Sequence, residues 1–171
     1  MTDRKETASA EMIKRLWSTD LSLVIKLAGG ILPNVFDNLV ADFSEKQKKA
    51  IDKVLPPGGK KKLYIKLVGS PTQPIVVGMA QPISITTMSE RDIENQKIKG
   101  LKLELDDIMP LTKGQTLGNM LKVVWRFRGQ MSTLISIGWS FMPILRLGRA
   151  NLEDMKSKMT SKMEPLRKLM N

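Results

Sequence analysis

Apolar residues recur at helical spacing through the first third of the chain. Within 4–17, Met12 and Leu16, then Ile13 and Trp17, stand four apart, which puts each pair on one face of a helix. "STD" at 18–20 offers N-cap oxygens for a second helix over 21–28, which the pair Gly29-Gly30 is expected to end. A third helix is predicted from Asn34 to about Leu55. Within it Ser44 and Gln47 have capping-box spacing, and Ala50, Ile51, Val54 and Leu55 form an apolar stripe that "PPGG" at 56–59 stops.

The period then drops to two. "KLYIKLVG" (62–69), "PIVVGMA" (74–80) and "PISITTM" (82–88) are short, rich in β-branched residues and separated by Pro, Gly and Ser, the pattern of strands joined by turns. "LKLELDD" (101–107) sets Leu101, Leu103 and Leu105 against Lys102, Glu104 and Asp106, a strand with one buried and one wet face. From Thr116 the helical period returns: Leu117, Met120, Leu121, Val124 and Trp125 share a face, with Lys122 and Arg126 opposite. Gly129 is expected to end that helix. "QMSTLISI" (130–137) is predicted as a fifth strand, with Met131, Thr133, Ile135 and Ile137 on one side. Beyond Pro143 a basic helix carries Leu145, Leu152, Met159 and Leu166 at steps of seven. The predicted fold class is therefore α+β, a five-stranded, mostly antiparallel sheet covered by helices.

Composition narrows the chemistry. At 171 residues and 42% hydrophobic, the chain holds one domain with a real core plus an appended segment. It contains no cysteine and no histidine, which removes disulfides, thiolate chemistry, the commonest general base and the commonest metal ligand. No catalytic residue, metal or cofactor is assigned, and a non-enzymatic role is expected. The N-terminal "MTDRKETASAEMIKRLW" is polar and mixed in charge, unlike a secretory signal, and a cytoplasmic setting is expected. "LSLVIKLAGGILPNVF" (21–36) comes nearest to a membrane span, but Lys26, the glycine pair and Pro33 interrupt it. Since a span takes about 20 predominantly apolar residues, it reads as a buried helix or an interfacial segment.

Charge adds a partner class. The net charge is +11, and residues 111–171 alone carry 11 basic and 3 acidic side chains. Such a field draws phosphate, on nucleic acid or on an anionic membrane. The strand faces are aliphatic and lack the rings that stack bases, which argues against nucleic acid. "PPGGKKK" (56–62) lacks the spacing of a phosphate-binding loop and reads as a turn with solvated lysines, able to face anionic head groups. Asp106 and Asp107, with Glu104, form the dense acidic cluster. A cation site or an acid/base pair is the functional alternative there, and a helix cap is the plainer reading.

Four of the eight aromatic residues, Trp125, Phe127, Trp139 and Phe141, fall in "VVWRFRGQMSTLISIGWSF" (123–141). This is more apolar surface than one helix needs against a sheet, and the surplus fits a ligand cavity between helices and sheet. Leu117, Met120, Leu121, Val124, Trp125, Phe127, Ile135, Ile137, Trp139 and Phe141 are its expected walls.

The order of elements over roughly 35–155 resembles the sterol carrier protein 2 domain. It has a leading helix ("VFDNLVADFSEKQKKAIDKVL"), three short strands and a strand running into "DDIMPLTKG". A helix ending "WRFRG", a final strand and a C-terminal helix follow. Leu103, Leu105, Asp106, Asp107, Leu111 and Gly114 resemble that family's "D-x-D-F-x-x-L-x-x-G" stretch, and Phe127 and Gly129 its "F-x-G". The resemblance implies a hydrophobic tunnel between helices and sheet. It also implies carriage of a sterol, fatty acid, acyl-CoA, phospholipid or similar hydrophobic small molecule, with no reaction of its own. Residues 35–171 form the expected carrier domain, ending in the basic helix. Residues 1–34 are a helical extension that covers the tunnel mouth, docks a membrane or makes a homodimer contact. The competing classes are a basic nucleic-acid-binding protein and a protein-interaction module.

Overall fold

A computed structural model of the chain describes residues 2–112, 118 and 125–169. Helices α1 (Thr2–Ser18), α2 (Ser22–Val40) and α3 (Glu45–Val54) lead into strands β1 (Lys62–Leu67), β2 (Ile75–Gly78) and β3 (Ser84–Thr87). Helix α4 (Glu90–Asn95), strand β4 (Lys99–Leu103) and helix α5 (Leu105–Thr112) follow. A 3-10 turn (Phe127–Gln130) then opens α6 (Met131–Leu145), and α7 (Arg149–Leu169) closes the described chain.

The fold is α+β, but its sheet has four strands among the described residues, in the order β3-β2-β1-β4. The β1–β2 and β2–β3 ladders are antiparallel and β1–β4 is parallel, with Leu63 opposite Lys99 and Leu67 opposite Leu103. The predicted fifth strand is helical: residues 130–137 complete the 3-10 turn and begin α6. The alternation of Met131, Thr133, Ile135 and Ile137 is real, yet Met131, Ile135 and Trp139 also stand four apart, and the longer helical register prevails.

The other predicted breaks shift for identifiable reasons. Helix α2 does not stop at Gly29-Gly30 but runs on through Pro33, which lacks the amide for one hydrogen bond without ending the helix. The glycine serves packing instead. A Cβ on Gly29 would collide with the Ile85 carbonyl of β3, so the bare backbone is what lets α2 lie on that strand. The long third helix predicted from Asn34 is broken at 41–44, where Phe43 turns into the core and Ser44 begins α3. The capping box forms as read: Gln47 N–H donates to Ser44 Oγ at 3.4 Å, and Ser44 N–H to Gln47 Oε1 at 2.9 Å. The alternating run at 101–107 leaves the sheet at Glu104. Asp107 Oδ2 accepts from Glu104 N–H at 3.0 Å, so the acidic pair sits in the first turn of α5 as a cap.

One core lies among the helices. Phe43, Ala50, Ile51, Leu147 and Met155 are buried together, with Phe36, Val40, Leu55 and Ile144 packed against them. These residues come from α2, the 41–44 break, α3 and its C-cap Leu55, α6, the α6–α7 joint and α7, so the C-terminal ends of α2 and α6 converge there. The start of the chain is pinned to the far end of the sheet. Trp17 Nε1 donates to Val68 O at 2.8 Å, and the buried Thr72 hydroxyl donates to Thr19 O at 3.1 Å while accepting from Leu21 N–H at 3.0 Å.

Candidate functional site

Helix α6 leaves much of its apolar surface outward. It carries no charged residue and none of its residues is fully buried. Its half-buried side mixes Thr133, Ser136 and Ser140 with Leu134, Ile137 and Ile144: Ser136 borders a surface cleft, Ser140 Oγ accepts from Lys61 Nζ and, at its C-terminal end, Ile144 reaches the core. Its outward row is Met131, Ile135, Trp139 and Leu145, with Phe141 on the flank, all exposed, Trp139 to 64%. A helix that leaves its tryptophan outward while Ser136 and Ser140 are half-buried departs from the usual amphipathic arrangement.

Helix α2 repeats the arrangement. Ile25, Gly29, Phe36 and Val40 face β3 and the core. Leu23, Val24, Leu27 and Ile31 face outward, with Leu23 68% exposed. By length and composition α2 suffices to cross a membrane, but only by those measures. It lies on β3 through Gly29 with 6% of its 18-residue apolar window buried.

Basic clefts border α6. One, of about 640 Å³, is lined by Gly59, Lys60, Lys61, Lys62, Leu63, Gln96, Lys97, Ile98, Lys99 and Ser136. A second, of about 330 Å³, lies where α3 meets the end of α6 and is lined by Lys46, Lys49, Lys53 and Arg146 beside Ala50, Pro143 and Leu147. Among the described residues, neither is lined by a carboxylate.

Six of the ten expected tunnel residues are described. Leu117, Met120, Leu121 and Val124 lie outside the described residues. Phe127 is buried and Ile137 half-buried, while Ile135, Trp139 and Phe141 are exposed on α6. Trp125 is 70% exposed, with the Arg128 guanidinium 5.5 Å from its ring centroid, a cation–π contact at the surface. The sequence reading did not assign Leu23, Val24, Leu27 and Ile31 to the site, although an interfacial role for 21–36 was their signal. Lys60–Lys62 were visible as a lysine run, but Lys97 and Lys99 gave no signal, because only the β1–β4 pairing brings them alongside. Among the described residues, no group of three or more Asp, Glu, His or Cys is placed to hold a metal ion.

No family model, curated protein or solved structure matches the chain.

Proposed function

We propose that the protein binds anionic lipid at a membrane surface as a non-enzymatic lipid-binding protein, its outward rows on α2 and α6 meeting the acyl chains and its lysines the head groups. The observation that carries this is the juxtaposition on α6: an uncharged helix with Met131, Ile135 and Trp139 exposed beside clefts whose described lining holds lysine and no carboxylate. An interface with anionic lipid supplies both partners that surface lacks, hydrocarbon for the row and negative charge for the rim.

The magnitudes are adequate. Burying a large aliphatic or aromatic side chain contributes about 1.5–3 kcal/mol, and the outward residues are already partly covered, so each adds about 1 kcal/mol. Each lysine near an anionic surface adds about 1 kcal/mol more. A few of each make reversible adsorption favourable. The hydrophobic ligand of the carrier reading is then a lipid taken from that surface, and Phe127 and Ile137 mark the interior side from which a chain-binding tunnel would extend.

Sedimentation with vesicles tests the reading. The full chain should pellet with vesicles rich in phosphatidylglycerol and stay in solution with neutral phosphatidylcholine. Ile135→Asp and Trp139→Asp should each release it while leaving the circular dichroism spectrum unchanged. Equal pelleting of these variants, or a concentration-dependent dimer that buries Trp139 in the absence of lipid, would contradict it.

A further inference from the structure

The 640 Å³ cleft gathers five lysines, Lys60, Lys61, Lys62, Lys97 and Lys99, along its lining. Some lysines elsewhere meet carboxylates: Lys66 with Glu90 at 2.7 Å, Lys158 with Asp154 at 2.9 Å and Lys162 with Asp42 at 2.7 Å. Among the described residues none of Lys60, Lys61, Lys62, Lys97 and Lys99 forms such a pair. Two are oriented by neutral groups instead. Lys61 Nζ donates to Ser140 Oγ, and Lys62 Nζ to Gln96 Oε1 at 3.3 Å. These partners fix direction and leave the positive charge uncompensated.

A backbone feature points to the same place. Lys97 has φ of +50° and is the one non-glycine residue with positive φ among the described residues. It follows the last turn of α4, where its N–H donates to Glu94 O at 3.0 Å and that of Ile98 to Ile93 O at 3.0 Å. That left-handed position is normally given to glycine. A lysine there is a strained choice at the rim of a cleft, and strain of this kind concentrates at binding sites. The parallel pairing of Leu63 with Lys99 then lays the 97–99 turn alongside Lys60–Lys62.

We infer that this cleft is a binding site for a compact polyanion bearing two or more phosphate groups, of the size of a phosphorylated sugar or cyclitol. The volume suits such a ligand. Five uncompensated ammonium groups exceed what one monoanionic phosphodiester neutralises, so clustered phosphates are the matching chemistry. The same groups occur on a free metabolite and on a lipid head group. The lipid-borne form rests on the membrane-surface reading above, and the free form does not.

Calorimetry with soluble inositol trisphosphate, and flotation with vesicles containing either phosphatidylinositol bisphosphate or phosphatidylserine at matched charge, separate the cases. Trisphosphate should bind at least about tenfold tighter than inorganic phosphate. Lys97→Gly and Lys61→Gln should each weaken it about fivefold, the equivalent of one lysine, while Lys49→Gln in the second cleft should leave it unchanged. Lys97→Gly is expected to relax the backbone, and a Tm that holds or rises separates its loss of binding from unfolding. Binding of trisphosphate without vesicle flotation supports the site with a free ligand and sinks the membrane reading. Flotation on both vesicle types alike, with no trisphosphate binding, sinks the site and leaves the membrane reading standing. Equal losses from Lys97→Gly and Lys49→Gln also overturn the site, because the attraction is then diffuse.

Discussion

The side-chain amide of Gln47 donates to Asp154 Oδ2 at 2.9 Å and to Asn151 O at 3.2 Å, tying α3 to α7 through a group only 1% exposed. Its oxygen meanwhile accepts from Ser44 N–H. One residue thus caps its own helix and anchors another. Gln47→Ala should destabilise the protein by about 2–4 kcal/mol, from lost hydrogen bonds and the space left behind. Gln47→Glu should cost as much or more, since it removes the donor and faces a carboxylate with Asp154. Urea unfolding of both variants checks this.

Acid should loosen the attachment of α7. Asp42 is held below the usual carboxylate range by its hydrogen bond with Lys162, and Asp154 by its hydrogen bonds with Lys158 and then Gln47. Because the folded pKa values lie below the unfolded ones, the stabilisation is full above the ordinary carboxylate range of about 4 and is lost as pH falls through the folded values. Urea midpoints should therefore hold between pH 7 and 5 and drop toward pH 3. In a Lys158→Met/Lys162→Met variant that drop should be shallower.

Adjacent glycines in α2 should respond to alanine with opposite signs. A Cβ at Gly29 collides with the Ile85 carbonyl, whereas one at Gly30 meets nothing within 4 Å. Gly29→Ala should cost about 1–3 kcal/mol through forced separation of α2 from β3. Gly30→Ala should stabilise by about 0.5–1 kcal/mol through reduced chain entropy. Thermal unfolding of the two single variants decides it.

Lys97→Gly should raise stability by about 1 kcal/mol, since glycine adopts the left-handed backbone without strain. For a chain of this length that corresponds to a rise in Tm of about 2–4 °C. A fall in Tm would mean that the lysine side chain packs more than its backbone strains.

Local signals in the sequence survived where one residue pair decides the structure. The Ser44–Gln47 box, the buried stripe Ala50, Ile51 and Val54, the positions of β1, β2 and β3 and the 101–103 part of β4 all follow from neighbours a few residues apart. Features set by distant packing did not survive. Gly29 looks like a helix end until β3 lies beneath it, and 130–137 alternates like a strand until the row through Trp139 is counted. The candidate site was half legible: the excess of rings in 123–141 marked a surface of unusual apolarity, but not that most of it faces outward. Lysines 60–62 and 97–99 become one cleft only through the parallel β1–β4 register.

The central claim is that the outward rows of α2 and α6 enter lipid. The chain has no cysteine, so Leu27→Cys, Ile135→Cys and Lys156→Cys each give a single position for a nitroxide label. With anionic vesicles present, the labels at 27 and 135 should become accessible to oxygen and shielded from an aqueous nickel chelate, while the label at 156 stays in water. Labels at 27 and 135 that remain open to the nickel chelate on protein bound to the vesicles would contradict the account.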